Sequence, residues 1–198
     1  MAKTKKSLTS LPLADRLQSA LVPEEKQPYP IPENWAWVKL GCIIELISGR
    51  DVPSSRCNVE GTGIPYILGA SNLENNTFMV ERWIQEPEVV SCRGDLLLSV
   101  KGTVGKLYLQ QEEKINISRQ IMAIRPKFGY DIKVLYWFFH SIDDELRTSG
   151  YGLIPGISRS DILTREFPLP PLVEQERIVA RLENLLGKLD EVKERVQN

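Results

Sequence analysis

One stretch divides the chain into two kinds of structure: Phe167-Pro168-Leu169-Pro170-Pro171-Leu172-Val173-Glu174-Gln175-Glu176-Arg177-Ile178-Val179. Pro170 and Pro171 favour extended backbone and cannot lie inside a helix, but a helix can begin directly after them. From there to Asn198 the sequence contains no further proline. It therefore predicts an extended segment followed by a long C-terminal helix.

The apolar residues of this predicted helix follow a coiled-coil pattern. They alternate at spacings of four and three residues and form what we call the heptad stripe: Ile178, Leu182, Leu185, Leu189, Val192 and Val196. This is the a/d repeat of a coiled coil, and the other faces are charged. Docking on the chain's own domain remains open, but the narrow stripe favours pairing with another helix. Gly187 is a weak point, costing about 1 kcal/mol relative to alanine in a helix.

Composition indicates an ordinary globular protein. The chain has 198 residues, is 42% hydrophobic and carries a net charge of -1, which fits one domain with an appendage. The sequence contains no apolar run long enough to cross a membrane and no secretory signal. Cys42, Cys57 and Cys92 are widely spaced and odd in number, so we expect reduced thiols and a cytoplasmic location.

Short segments rich in Val, Ile and Leu, separated by Gly, Asn, Ser and Pro, predict strands. They are 35–40, 64–68, 78–83, 95–100, 105–110 and 120–126, while 11–22 and 131–147 favour helices. Residues 35–40 can instead lead into a short helix at about 40–47. We therefore expect an α+β fold: a twisted mixed β-sheet with short helices, plus a long C-terminal coiled-coil helix. The predicted divisions are a leader and short helix at 1–27, a sheet domain at 28–170 and the helix at 171–198.

Catalytic chemistry has little support in the sequence. His140 is the one histidine and lies in an aromatic run, which favours a packing or surface role. Neither histidine nor cysteine residues have zinc-ligand spacing, and no phosphate-binding or dinucleotide-binding glycine motif is present. The sequence thus predicts no catalytic residue and no metal site.

Polar loops that contain glycine and basic residues interrupt the predicted strands. Glycine allows close backbone approach, lysine and hydroxyl groups can hold phosphate, and arginine and glutamine can pair with base edges. The candidate DNA-binding residues are Arg50, Asn72, Ser99, Lys101, Thr103, Lys106, Ser118, Arg119, Gln120, Ser158 and Arg159. Each loop alone is compatible with an ordinary turn, but together they favour a nucleic-acid interface. The net charge is close to zero, which argues against an indiscriminate DNA binder.

Several pieces, in order, resemble the specificity (S) subunit of type I restriction-modification enzymes. They are PYPIPENW at 28–35, VKLG at 38–41, GIPYI at 63–67, GDLLLS at 94–99, GTVGK at 102–106, ISRQ at 117–120, GISR at 156–159 and PLPPLVEQERIV at 168–179. The last is the most specific of these motifs. The resemblance covers about residues 28–190.

The resemblance implies a target recognition domain at 28–170 that reads duplex DNA, and a helix at 171–198 for dimerisation and contact with the methylase subunit. It implies no catalysis and no cofactor in this chain. The implied partners are modification subunits, which bind S-adenosylmethionine and methylate adenine, and a restriction subunit that uses ATP and magnesium.

The chain departs from the family in having one recognition domain and one helix, where the usual S subunit has two of each. Because the residues before Pro28 resemble a normal family start, we expect a natural half-size chain. Two copies paired antiparallel through the heptad stripe would rebuild the usual arrangement as a twofold homodimer. A helix of about 24 residues spans roughly 36 Å, close to one DNA turn. The expected target is an interrupted palindrome.

Three alternatives remain open. A stand-alone nuclease would need a cluster of acidic metal ligands. A non-catalytic interaction protein would use the helix as its functional part and would show no salt-sensitive affinity for DNA. A half-size subunit could also pair with a full-length S subunit through the same stripe.

Overall fold

The structure, a computed structural model, describes residues 13–74, 77–148 and 156–197. Its strands are β1 (Ala36–Lys39), β2 (Ile44–Ser48), β3 (Cys57–Asn58), β4 (Ile64–Ile67), β5 (Leu73–Glu74), β6 (Thr77–Phe78), β7 (Trp83–Ile84), β8 (Val90–Cys92), β9 (Leu96–Ser99), β10 (Leu107–Leu109), β11 (Lys114–Ile117), β12 (Ile121–Pro126) and β13 (Glu166–Leu169). Its helices are α1 (Leu13–Ala20), α2 (Ile132–Ser141), α3 (Asp143–Thr148), α4 (Arg159–Leu163) and α5 (Leu172–Gln197). Short 3-10 turns lie at Glu24–Lys26, Leu40–Cys42, Ser54–Arg56 and Ala70–Asn72.

Two sheets pack face to face. One is antiparallel, in the order β10-β9-β12-β2. The other is mixed, in the order β3-β7-β4-β11-β8, with β11 parallel to β4. A separate antiparallel ribbon pairs β1 with β13, and β5 pairs with β6.

The antiparallel sheet is buried on both faces. Successive residues of a strand point to opposite faces: Leu96 and Leu98 pack with Leu135 and Phe139 of α2, whereas Leu97 faces the mixed sheet. The result is three layers, with helices on one side of the central sheet and the mixed sheet on the other. This layering explains why β9 and β12 are apolar on both faces instead of alternating.

The start of α5 is fixed to the sheet domain by polar contacts. Glu174 accepts hydrogen bonds from the indole Nε1 of Trp35 at 2.6 Å and the amide of Asn34 at 2.5 Å. These two bonds hold the pKa of the Glu174 carboxyl below its ordinary value. Gln175 is buried, accepts from the main-chain N–H of Asp131 and donates to the carbonyl of Pro170. The direction in which α5 leaves the domain is therefore set by its first turn.

The α+β expectation is confirmed, as is the long C-terminal helix after Pro171. The predicted helix at 131–147 is interrupted at Ile142, where α2 ends and α3 begins. The strand predicted at 78–83 is wrong: β6 ends at Phe78 and β7 begins at Trp83. Residues 40–47 form a 3-10 turn followed by β2. The divisions at 27/28 and 170/171 stay predictions.

Among the described residues, no helix is both long and apolar enough to span a bilayer.

An ion pair between buried Asp95 and partly exposed Arg125 joins the two neighbouring inner strands of the central sheet, β9 and β12. Asp95 is 2% exposed and accepts from both Nε and Nη2 of Arg125 at 2.8 Å. Its hydrogen bonds to Asp95 raise the pKa of Arg125 above the ordinary value. Asp95 also accepts a hydrogen bond from the main-chain N–H of Cys92. Its carboxylate is therefore bound by both a guanidinium and a main-chain donor.

We expect Arg125→Ala to lower the free energy of unfolding by about 2–4 kcal/mol, because it leaves the Asp95 carboxylate buried without its counter-charge. Urea unfolding followed by circular dichroism measures this. Lys133→Ala is the matched control, since its pair with Glu183 is half exposed on both sides and should change stability by less than about 1 kcal/mol. Equal effects of the two variants would contradict the assignment.

Candidate nucleic-acid interface

Segments distant in sequence meet at one end of the two sheets. In the central sheet, Ser48 pairs with Met122 and Ser99 with Ile121, so β2 and β9 end where β12 begins. In the mixed sheet, β4 and β11 are parallel and end side by side. The loops that follow these strand ends form what we call the loop cluster: 48–51, 68–72, 99–106, 118–120 and 156–159. All the candidate DNA-binding residues predicted from the sequence lie in it.

Main-chain hydrogen bonds tie these loops to one another. Arg50 N–H donates to the carbonyl of Ile117 at 2.9 Å, and Val100 N–H to the carbonyl of Gln120 at 2.8 Å. Ile157 N–H donates to the carbonyl of Val100 at 2.9 Å, which brings segment 156–159 to the same place. The loop cluster is thus one continuous surface and not a set of separate turns.

Gly49 allows the first of these contacts. A Cβ atom at this position would lie 2.1 Å from the carbonyl oxygen of Ser118. Only glycine therefore fits between the ends of β2 and β11, which explains the Ser-Gly-Arg sequence at 48–50 better than a turn conformation does.

Asn72 does not present its side chain to the surface. It is fully buried, its Oδ1 accepts from the N–H groups of Leu68 and Gly69, and its Nδ2 donates to the carbonyl of Met79. As folded, Asn72 shapes segment 68–72 by satisfying main-chain groups that would otherwise be buried without partners, and its contact with DNA stays a prediction.

Ser99 and Ser118 are likewise buried, and their contacts with DNA stay predictions. Ser99 is fully buried, donates to the carbonyl of Thr103 at 2.7 Å and accepts from Lys106 N–H at 2.9 Å. Ser118 is 2% exposed, donates to the carbonyl of Leu68 and accepts from Gln120 N–H. Both hydroxyls hold loops in shape instead of facing a ligand.

Ser158 and Arg159 lie at the surface but are engaged locally. Ser158 caps α4 by accepting from Asp161 N–H. Nη1 of Arg159 donates at 2.8 Å to both the carbonyl of Leu46 and the hydroxyl of Ser48. Arg159 therefore connects the start of α4 to the end of β2 and so links two segments of the loop cluster.

The remaining candidates face solvent to different degrees. Arg50, Lys101, Thr103 and Arg119 are exposed, whereas Lys106 and Gln120 are half-buried. Within the described ranges neither Lys101 nor Lys106 forms an ion pair, while the Arg50 guanidinium is 4.0 Å from Glu88. The exposed part of the loop cluster thus carries cationic and amide groups suited to a polyanion with hydrogen-bonding edges.

Asp51 also lies in the loop cluster, although sequence reasoning missed it. Its Oδ2 is 2.8 Å from Nε of Arg119, and its Oδ1 accepts from the main-chain N–H of Arg119 at 3.1 Å. These two residues are far apart in sequence, so only the packing of the β2 and β11 ends reveals the pair.

His140 is exposed on α2, outside the loop cluster, where it stacks against Tyr136. No three carboxylate, histidine or cysteine side chains among the described residues come together as metal ligands would.

The heptad stripe is divided between two environments. Ile178 and Leu182 are half-buried beside α2 and, with Leu186 and Trp137, line an apolar groove of about 470 Å³. Leu185, Leu189 and Val192 are 42%, 55% and 56% exposed, whereas the side chain of Val196 lies outside the described ones. The first part of α5 is therefore docked on the domain, and the later part presents an apolar face to solvent.

A family model described as the type I restriction modification DNA specificity domain matches residues 32–198. The chain belongs to this family. It is 31% identical over 156 residues to a putative type I restriction enzyme MjaX specificity subunit of Methanocaldococcus jannaschii, covering 77% of this chain and 36% of that protein. It is 24% identical over 168 residues to the EcoDI specificity subunit of Escherichia coli, covering 84% of this chain and 34% of that protein.

Solved structures of the family share the fold. The HsdS subunit from Thermoanaerobacter tengcongensis superposes with a TM-score of 0.77 at 30% identity, covering 86% of this chain and 42% of that one. The type I S subunit from M. genitalium gives 0.60 at 16% identity, which shows likeness of fold alone. The specificity domain described here therefore spans less than half the length of these relatives.

We expect Gly49→Ala to lower the free energy of unfolding by about 1–3 kcal/mol, because the added methyl group must push β2 away from the end of β11. Gly187→Ala is the control: a Cβ there meets nothing within 4 Å, and alanine should stabilise the helix by about 1 kcal/mol. Thermal unfolding of both variants measures the difference. Unchanged stability of Gly49→Ala would mean that the two strand ends are not packed as described.

Proposed function

We propose that this chain is the DNA sequence-specificity subunit of a type I restriction-modification complex and that it binds duplex DNA through the loop cluster. The observation that carries the proposal is the convergence of loops from both sheets on one surface with exposed Lys101 and Arg119 and half-buried Gln120. Family membership supports the same assignment.

The loop cluster has the mixture of groups that sequence reading requires. Lysines provide sequence-independent attraction to phosphate, and arginine and glutamine can distinguish base edges. Because the buried side chains of Asn72, Ser99 and Ser118 hydrogen-bond to main-chain groups of the loops, the loop backbone that carries the outer groups is held in shape before DNA binds. Pre-organisation of this kind favours affinity, since less loop freedom is lost on binding.

In this proposal the chain is not an enzyme. Modification subunits would bring S-adenosylmethionine and methyl transfer, a restriction subunit would bring ATP-driven movement and magnesium-dependent cleavage, and this chain would direct both to a site. The proposed location is the cytoplasm, where the complex meets DNA.

We further propose that two copies pair antiparallel through the exposed part of the heptad stripe. Leu185, Leu189 and Val192 are large aliphatic side chains at a/d spacing, and fully burying one such side chain contributes about 1.5–3 kcal/mol. α5 has 26 residues, which corresponds to about 39 Å, near the repeat of one DNA turn. Two recognition domains at opposite ends would read inverted half-sites separated by unread base pairs.

The charges beside the stripe favour a second arrangement, in which the chain pairs with a full-length specificity subunit. Arg181 and Lys188 are both exposed and lie one heptad apart at the g positions beside the stripe. In an antiparallel homodimer these g positions face each other, which places like charges together. A full-length specificity subunit with acidic residues at those positions would be a better-matched partner for the same stripe.

Selection from random duplex DNA tests the proposal. We expect the purified chain, with its methylase subunit, to enrich an interrupted palindrome, because twofold symmetry requires inverted half-sites. Enrichment of a single half-site would keep DNA recognition and remove the homodimer. An absence of enrichment would support the interaction-protein alternative, and magnesium-dependent cleavage by the chain alone would support a nuclease.

The pairing has its own test. Leu185→Glu combined with Leu189→Glu should reduce the mass measured by light scattering from twice the chain mass of 22.5 kDa to that of one chain. Leu172→Glu combined with Val173→Glu is the control, since it changes exposed aliphatic residues of the same helix outside the stripe. A wild-type monomer, or a dimer that survives the stripe variant, would refute the homodimer.

A further inference from the structure

We infer that Asp51 is a positioning residue that presents Arg119 to the edge of a guanine in the target site. The inference rests on the proposed recognition of DNA by the loop cluster. It adds to that proposal the identity of one base in the target site. It also assigns Arg119 to a base edge and Lys101 and Lys106 to phosphate.

Asp51 holds Arg119 at two points. One carboxylate oxygen accepts from the main-chain N–H of Arg119 at 3.1 Å, and the other lies 2.8 Å from its Nε. The first contact holds the backbone of segment 118–120, and the second is an ion pair that keeps the guanidinium beside the Asp51 carboxylate. Arg119 remains 67% exposed, so most of its side chain is open to solvent.

The contacts with Asp51 leave the tip of the guanidinium available. The Nη1 and Nη2 groups of Arg119 donate no hydrogen bond to the described residues, and they form a planar fork of donors. Such a fork matches the O6 and N7 acceptors that guanine presents in the major groove. An adenine offers a donor and an acceptor at the same place, so it does not match.

Arg119 differs from Lys101 and Lys106 in having a carboxylate next to its charged group. The Arg119–Asp51 pair is neutral as a whole, and a phosphate placed on this guanidinium would also approach the Asp51 carboxylate. A base edge carries no net charge and meets no such repulsion. Lys101 and Lys106 have no ion-paired carboxylate in the described part of the chain, which suits them to phosphate. Asp51 therefore directs Arg119 away from phosphate and towards a base.

The experiment uses the full chain and the duplex obtained from random-sequence selection. Each guanine in that duplex is replaced in turn by 7-deazaguanine, which lacks the N7 acceptor. For wild type we expect one position per half-site at which binding falls on the order of 10-fold. Arg119→Ala should bind the natural duplex less tightly and should be insensitive to replacement at that same position.

Asp51→Asn tests the positioning role directly, because it keeps the size of the side chain and removes its charge. We expect it to lose most of the discrimination at that guanine, while the slope of log affinity against log salt becomes steeper by about one because Arg119 can now contact phosphate. Lys101→Ala should do the reverse, with a shallower slope and unchanged guanine discrimination. A purely structural role for Asp51 would lower affinity without steepening the salt dependence.

Glu145→Gln is the matched control, since it alters another arginine–carboxylate pair, Arg165–Glu145 at 2.7 Å, outside the loop cluster. It should leave both discrimination and salt slope unchanged. Two results would overturn the inference: guanine sensitivity that persists in Arg119→Ala, or an Asp51→Asn variant with wild-type discrimination and slope. Failure of the wild-type chain to select any sequence would instead refute the proposed function itself.

Discussion

The pairing of β9 with β12 is the contact on which the rest of this structure depends. Its register, with Ser99 opposite Ile121, fixes where both strands stop, and β2 is aligned to the same end through β12. Since side chains alternate along these strands, the same pairing also supplies apolar residues to the helices on one side and to the mixed sheet on the other. One ladder of hydrogen bonds thus sets both the core and the location of the loop cluster.

Polar residues in the loop cluster have two kinds of role. Buried Asn72, Ser99 and Ser118 satisfy main-chain groups, and outer residues such as Lys101 and Arg119 keep free donors. The two kinds cannot be distinguished by residue type, because serine and asparagine are as suitable for a phosphate as for a carbonyl. Burial decides between them, and burial is a consequence of sheet packing. Arg159 shows the intermediate case of an exposed side chain whose donors are used by β2.

The sequence was sufficient for the parts of the fold with a regular pattern. The proline pair followed by a heptad repeat predicted α5, and β9 and β12 were found because they are apolar and bounded by glycine or polar residues. The two-residue strands β3, β5, β6 and β7 are too short to show alternation, and β3 and β7 also depend on partners that are distant in sequence. The site was predicted at the level of segments, because glycine-rich polar loops are visible in sequence. The Asp51–Arg119 pair was not, since it depends on a contact between residues 68 positions apart.

The ribbon of β1 and β13 has a consequence for how such a protein can change. Ala36 lies opposite Leu169, so the chain enters and leaves the sheet domain at neighbouring points, and α5 begins immediately afterwards. The intervening residues form an insertion with closely spaced ends, the arrangement in which replacement disturbs the remainder of a protein least. Exchange of that insertion for another with the same spacing would bring a new loop surface while Trp35, Glu174 and the helix stayed in place. The loop surface and the C-terminal helix can in this sense vary independently.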